Sequence, residues 1–75
     1  MDDTTYETKI REFALTVAKR HRGRPLDRAS LVAALRGYHR SLALFNAVPP
    51  LDARAVGLAV GTYDMARSPR RRSVA

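Results

Sequence analysis

The stretch HRGRPLD, residues 21–27, separates two helical patterns in the first half of the chain. Its glycine and proline interrupt the preceding helix, and its aspartate is a preferred N-cap for the following one. The letters PLD return at residues 50–52, in front of a third helical pattern. We interpret this repeat as shared capping chemistry, with duplication of a helical unit as the alternative. The two interruptions predict three helices.

The first helix is predicted at about residues 5–21. Thr4 and Glu7 have the spacing of a capping box, in which the two residues satisfy each other's backbone amides. Gly23 is expected to follow the helix end as a C-terminal cap residue. Apolar residues recur at intervals of three and four, which places them on one helical face: Tyr6, Ile10, Phe13 and Val17.

The second and third helices are predicted at about residues 28–46 and 53–66. Asp27 and Asp52 are expected to be their N-caps, because an aspartate side chain accepts a hydrogen bond from a free amide of the first turn. The second helix carries an apolar stripe with the same helical spacing: Leu31, Leu35, Tyr38, Leu42 and Phe45.

The fold class that follows is all-α. We predict a compact three-helix domain at residues 1–67 and a short, basic, disordered tail at residues 68–75. A chain of 75 residues is long enough for one small domain with a thin core. Its 45% hydrophobic content is too high for a disordered chain.

Several functional classes are not supported by the composition. The chain has no cysteine, so it forms neither a disulfide nor a thiolate metal site. Once the capping carboxylates are set aside, Glu12 and Asp64 remain, with no acid–base spacing. We therefore expect no enzymatic activity, no metal and no cofactor. The acidic start lacks the apolar segment of a signal peptide, and no apolar run approaches the roughly 20 residues that span a bilayer. We expect a cytoplasmic protein without a membrane partner.

Charge is the strongest feature of the composition. Fourteen basic residues, twelve of them arginine, face seven acidic ones, which gives a net charge of +7. Arginine binds phosphate through two parallel hydrogen bonds, so this excess points to nucleic acid as a partner. GC-rich coding also enriches arginine and alanine, and it remains an alternative explanation.

The segment Arg22-Gly23-Arg24, followed by Pro25, has two interpretations. It is either an ordinary helix break or a clamp for the DNA minor groove. In the second interpretation an extended segment lies along the groove floor, glycine permits close approach, and both arginines point along the groove. A·T tracts narrow the minor groove and strengthen its negative potential, which attracts arginine.

Arg22-Gly23-Arg24-Pro25 resembles the AT-hook core, although Leu26 and Asp27 follow it where further basic residues are usual. Residues 10–39 also resemble the DNA-binding domain of the actinobacterial H-NS-like nucleoid-associated silencers. They share an IREFA run at residues 10–14, the Arg-Gly-Arg loop, and a second helix that bears Tyr38-His39.

This resemblance has departures. The interval from first helix to loop is shorter here, the second helix is longer, and a third helix is added. The family's N-terminal oligomerisation domain has no counterpart in these 75 residues. The resemblance implies insertion of the loop arginines into A·T-rich minor groove and a role in transcription regulation. DNA is favoured over RNA.

Other cations are expected to contact phosphates around the loop. For Arg36 and Arg40 a solvated helix face is the alternative, and the arginine tail either binds or only solubilises. The predicted phosphate contacts are Lys19, Arg20, Arg28, Arg36, Arg40, Arg70, Arg71 and Arg72.

The rival function is a protein-interaction module that binds an acidic partner or forms a homodimer. Gly57 and Gly61, one helical turn apart, permit the close approach of another helix. That helix belongs either to the same domain, around a central third helix, or to a second chain. Tyr38 and Tyr63 are the other candidate contacts.

Overall fold

A computed structural model describes residues 1–67 of the chain, which form three helices. α1 spans Asp3–Arg20, α2 spans Arg28–Phe45 and α3 spans Ala53–Arg67. The all-α, three-helix prediction is confirmed, and each helix boundary lies within two residues of the predicted one. The predicted tail at residues 68–75 lies outside the described residues. Among residues 1–67, no helix is both long and apolar enough to cross a membrane.

The start of α1 differs from the prediction. Its N-cap is Asp2, whose carboxylate accepts a hydrogen bond from the Thr5 amide at 2.8 Å. The prediction of a capping box formed by Thr4 and Glu7 was therefore wrong, because Thr4 lies inside the helix. Aspartate is a stronger cap than threonine and also interacts favourably with the helix dipole. The hydrogen bonds from Thr5 lower the pKa of Asp2.

The caps predicted from the two PLD segments are confirmed. Asp27 accepts a hydrogen bond from the Ser30 amide at 2.8 Å, and Asp52 accepts one from the Ala55 amide at 3.0 Å. In both cases the aspartate satisfies an amide that has no partner within its helix. Asn46 ends α2 as predicted, with its amide donating to the Leu42 carbonyl.

The three helices run up, down and up, so α1 and α3 are parallel and α2 is antiparallel to both. Two buried clusters, stacked along the bundle, establish this order. The cluster where α1 and α3 begin contains Tyr6, Ile10, Leu35, Ala55 and Ala59. The cluster where they end contains Ala14, Val17, Ala18, Leu31 and Tyr63.

The helices pack through side chains of different sizes. The most extensive contact joins α1 to α3, where buried alanines such as Ala14 and Ala59, both 0% exposed, permit a close approach. α2 is joined to α1 through larger rings. Phe13 stacks on Tyr38 with 4.8 Å between ring centroids, and Tyr6 meets His39 edge-on at 5.9 Å. Alanine therefore sets the α1–α3 spacing and aromatic rings set the α1–α2 spacing.

One packing prediction was wrong, and one of the two alternatives for the glycines of α3 is ruled out. Phe45, predicted in the core stripe, is 86% exposed, whereas Leu42 of the same stripe packs against the core. Gly57 and Gly61 are exposed, with no atom within 4 Å of a Cβ built on either. They do not mediate packing inside the bundle, because Ala55 and Ala59 occupy the inward face of α3.

Candidate nucleic-acid interface

The connection between α1 and α2 contains a tight turn. The His21 amide donates to the Val17 carbonyl and ends α1, and the Arg24 amide donates to the His21 carbonyl at 3.2 Å. Arg22 and Gly23 occupy the two central positions of this turn. The prediction of an extended Arg22-Gly23-Arg24 segment was wrong. The hydrogen bond from the Arg24 amide to the His21 carbonyl closes this segment into a turn.

Gly23 is not required by the fold. Its φ angle is not positive, and no atom lies within 4 Å of a Cβ built on it. The prediction that Gly23 caps α1 was therefore wrong, because His21 fills the cap position with ordinary negative φ. Neither backbone conformation nor internal packing explains a glycine at the tip of this turn.

The side of the turn that leads into α2 is anchored to α3. The Leu26 amide donates a hydrogen bond of 2.8 Å to the hydroxyl oxygen of Tyr63. Tyr63 is 2% exposed, so its prediction as a surface contact for a partner was wrong. Its role in holding the loop was missed, because the sequence does not show that residues 26 and 63 meet.

Six of the predicted nucleic-acid-binding positions lie together where α1 ends and α2 begins. Lys19 and Arg20 are in the last turn of α1, and Arg28 is the first residue of α2. All six positions are exposed: Lys19, Arg20, Arg22, Gly23, Arg24 and Arg28. We call residues 19–28, together with the last turn of α3, the loop end.

Among residues 1–67, no carboxylate forms an ion pair with the cations of the loop end, although Asp27 and Asp64 belong to it. Both ion pairs in this part of the chain involve Glu7, which lies 3.9 Å from Arg11 and 3.4 Å from Arg54 at the other end of the bundle. At the loop end, Asp27 is engaged as the cap of α2, and the hydrogen bonds from Ser30 lower its pKa. The positive charge therefore faces solvent.

Local structure explains some of these cations and not others. Lys19 and Arg20 lie in the last turn of α1, where a positive charge interacts favourably with the negative end of the helix dipole. Arg28 stands at the positive end of the α2 dipole, where a cation is unfavourable. Arg22 and Arg24 flank a glycine on an exposed turn and stabilise neither helix. Arg22, Arg24 and Arg28 thus lack a structural explanation.

The remaining predicted cations are not brought to this cluster. Arg36 and Arg40 are exposed on α2, about 12 Å and 18 Å along the helix axis from Arg28 at 1.5 Å per residue. They form a separate pair on the side of the bundle. Arg70, Arg71 and Arg72 lie outside the described residues.

Arg67 was missed by the sequence analysis. It lies in the last turn of α3, and its guanidinium stands 5.5 Å from the centre of the Tyr63 ring. Because α1 and α3 are parallel, the last turn of α3 lies at the same end of the bundle as the last turn of α1. Arg67 therefore lines a groove together with Lys19 and Arg22. A basic residue at a helix C-terminus was the only sequence signal.

The rival contact surface is also partly present. Gly57 and Gly61 leave a smooth strip on the outer face of α3, and Met65, one turn further, is 78% exposed. Tyr38 is half-buried by its stacking on Phe13 and offers a limited surface. Gly57, Gly61 and Met65 carry no charge, and the exposed Arg54 and Asp64 stand one turn away from Gly57 and Gly61 on α3.

Comparison with protein-family models, with curated proteins and with solved structures finds no match to this chain. Within residues 1–67, histidine, aspartate and glutamate side chains form no group of three that could hold a metal ion.

Proposed function

We propose that this protein is a small, non-enzymatic DNA-binding protein that places the Arg22–Arg24 turn in A·T-rich minor groove. One observation carries the proposal. The turn is exposed and anchored at both sides, its two arginines form no ion pair with a carboxylate of residues 1–67, and neither backbone conformation nor packing requires its glycine.

The shape of the turn suits a narrow groove. The minor groove of B-DNA is about 6 Å wide, so a turn approaches its floor more closely when no side chain stands at its tip. Gly23 provides that tip, and the flanking arginines supply positive charge on both sides. A·T tracts have the narrowest groove and the strongest negative potential, so a preference for base composition follows. In RNA helices this groove is wide and shallow, which favours DNA as the partner.

The other cations of the loop end complete the surface. Lys19, Arg20 and Arg28 stand on helix ends beside the turn, where they are placed to contact phosphates on either side of the groove. Phosphate contacts position a protein without reading sequence. A protein with this division of labour suits a nucleoid-associated role in transcription regulation, as the resemblance to the silencers implies.

Fluorescence anisotropy on two labelled duplexes, one A·T-rich and one G·C-rich, tests the proposal at matched salt. We expect the wild type to prefer the A·T-rich duplex and the variant Arg22→Ala/Arg24→Ala to lose that preference. Circular dichroism checks that the variant stays helical. Equal binding of the two duplexes by the wild type contradicts the proposal.

The exposed α3 face supports a second candidate, a homodimer formed through Gly57 and Gly61. Its supporting observation is that both glycines are open to solvent beside the exposed Met65. Sedimentation velocity of the wild type and of Gly61→Leu tests it. A dimer that Gly61→Leu dissociates supports this candidate, and a monomeric wild type at all accessible concentrations contradicts it.

A further inference from the structure

A groove of about 560 Å³ lies beside the turn, between the last turns of α1 and α3. Its cations come from three parts of the chain, because Lys19 is on α1, Arg22 is in the turn and Arg67 is on α3. Its other lining residues are apolar: Leu15, Ala18, Pro25 and Ala66.

The charge of the groove is of one sign. None of the lining residues in the part of the chain that the structure describes is a carboxylate, and both ion pairs within residues 1–67 lie at the far end of the bundle. Three cations held around one groove repel each other, and an anion between them relieves that repulsion. The electrostatics therefore select an anionic occupant.

The floor of the groove adds a second requirement. Leu15 is 46% exposed although it stands one turn before Lys19 on the same face of α1. A bare inorganic anion leaves this apolar surface in water, whereas an anion attached to an apolar group covers it. Backbone phosphate of DNA, with the carbon atoms of its deoxyribose, has both properties.

We propose that this groove binds a backbone phosphate of the DNA strand that borders the occupied minor groove, with the adjoining deoxyribose packed on Leu15 and Pro25. The inference rests on the proposed function. Arg22 belongs to both the turn and the groove, so the bound phosphate stands next to the inserted turn. The strand then continues towards Arg67, which makes α3 part of the DNA-binding surface.

Arg67→Ala tests the phosphate contact, with Arg54→Ala as the matched control. Both arginines are exposed, both lie on α3, and each substitution removes one charge, but Arg54 is at the other end of the helix. We expect Arg67→Ala to weaken binding to A·T-rich and G·C-rich duplexes by the same factor. The slope of log affinity against log salt should become shallower by about 0.9, the value for one phosphate. Arg54→Ala should leave slope and affinity unchanged.

Leu15→Asn tests the apolar floor, with Leu44→Asn as its control. Leu15 is 46% exposed and Leu44 on α2 is 72% exposed, so both amides are accommodated in water, and neither substitution changes the net charge. We expect Leu15→Asn to weaken binding to both duplexes several-fold more than Leu44→Asn does. Circular dichroism establishes that each variant is folded before binding is compared.

Two results overturn the groove proposal and leave the minor-groove proposal standing. One is equal salt slopes for Arg67→Ala and Arg54→Ala while Arg22→Ala/Arg24→Ala still abolishes the A·T preference. The other is a change of A·T preference in Arg67→Ala, since a phosphate contact carries no base information. A wild type that binds neither duplex overturns both proposals together.

Discussion

The two ends of the bundle use their charges differently. At the end where α1 and α3 begin, which we call the opposite end, Glu7 is shared by Arg11 and Arg54. At the loop end, Arg22 and Arg24 stand on an exposed turn and Asp27 is engaged as a helix cap. Unpaired like charges weaken the compact state through mutual repulsion. The proposed anionic partner would relieve this repulsion, since Arg22 and Arg24 form no ion pair within residues 1–67.

The ends also differ in how they use a buried tyrosine. At the loop end the Tyr63 hydroxyl accepts a hydrogen bond from the Leu26 amide. At the opposite end the Tyr6 hydroxyl is buried and has no hydrogen-bond partner among residues 1–67. Burial, and then the charge of Asp52, raise the pKa of Tyr6. One tyrosine fixes a loop, and the other fills the core at the cost of an unsatisfied hydroxyl.

The largest expected difference in DNA affinity is between two double variants, each of which removes two arginines from one end of the bundle. Arg22→Ala/Arg24→Ala should lower affinity for an A·T-rich duplex on the order of 100-fold, because each arginine that contacts DNA contributes about 1–3 kcal/mol. Arg11→Ala/Arg54→Ala removes the same charge from a total of +7 and should change affinity less than threefold, roughly the long-range effect alone. Anisotropy measures both. Equal losses in the two variants show that only net charge matters.

The two tyrosines give the next contrast. Tyr63→Phe should destabilise the fold by about 1–2 kcal/mol, because it leaves the Leu26 amide without its partner. It should also reduce the A·T preference, since the turn loses its anchor on α3. Tyr6→Phe should leave stability unchanged or raise it, because the buried hydroxyl has no partner among the described residues. Urea unfolding followed by circular dichroism measures the difference, and a greater loss for Tyr6→Phe refutes it.

Glycine substitutions separate folding from binding. Gly23→Ala should keep or slightly raise stability, by up to about 1 kcal/mol, since Gly23 has negative φ and open space around it. Its affinity for the A·T-rich duplex should fall several-fold, because a methyl group now stands at the tip of the turn. Gly37→Ala on α2 should raise stability by about 1 kcal/mol and leave binding unchanged. Unchanged DNA affinity in Gly23→Ala argues against insertion of the tip.

The smallest effect concerns acid, and it applies to both ends. Hydrogen bonds from Thr5 and Ser30 lower the pKa of Asp2 and Asp27. A carboxylate whose pKa is lower in the folded state stabilises the fold above its unfolded pKa, and that contribution is lost as pH falls through the folded pKa. Melting temperature should therefore drop between about pH 5 and 2. Asp2→Asn/Asp27→Asn should show a smaller drop, and an equal drop contradicts this origin.

The sequence predicted the helices well because their boundaries carry strong local signals. The two PLD segments place an aspartate in front of α2 and α3, and both caps form as expected. The start of α1 was harder to predict, because Asp2 and Thr4 are both favourable N-cap residues and only one residue lies between them. The apolar period also predicted most of the core, and it failed at Phe45 in the last turn of α2, which is exposed.

The candidate site was only partly predictable. The concentration of basic residues along the sequence predicted Arg22, Arg24 and Arg28 as site residues. The turn itself depends on the hydrogen bond between Arg24 and His21, which no residue pattern specifies. Arg67 joins the site from a position 43 residues beyond Arg24. Only the parallel arrangement of α1 and α3 reveals that contribution. The sequence likewise gave no means to tell whether Gly57 and Gly61 face the core or the solvent.

The most direct test of DNA binding by the loop end is a titration of ¹⁵N-labelled wild-type protein with an A·T-rich duplex, followed by two-dimensional amide NMR. We predict that the largest shift changes fall on residues 19–28 and on the last turn of α3, with Gly23 among them. The amides of Glu7, Arg11 and Arg54 should change little. Largest changes at the opposite end or along Gly57 and Gly61 would contradict the assignment of the DNA-binding surface to the loop end.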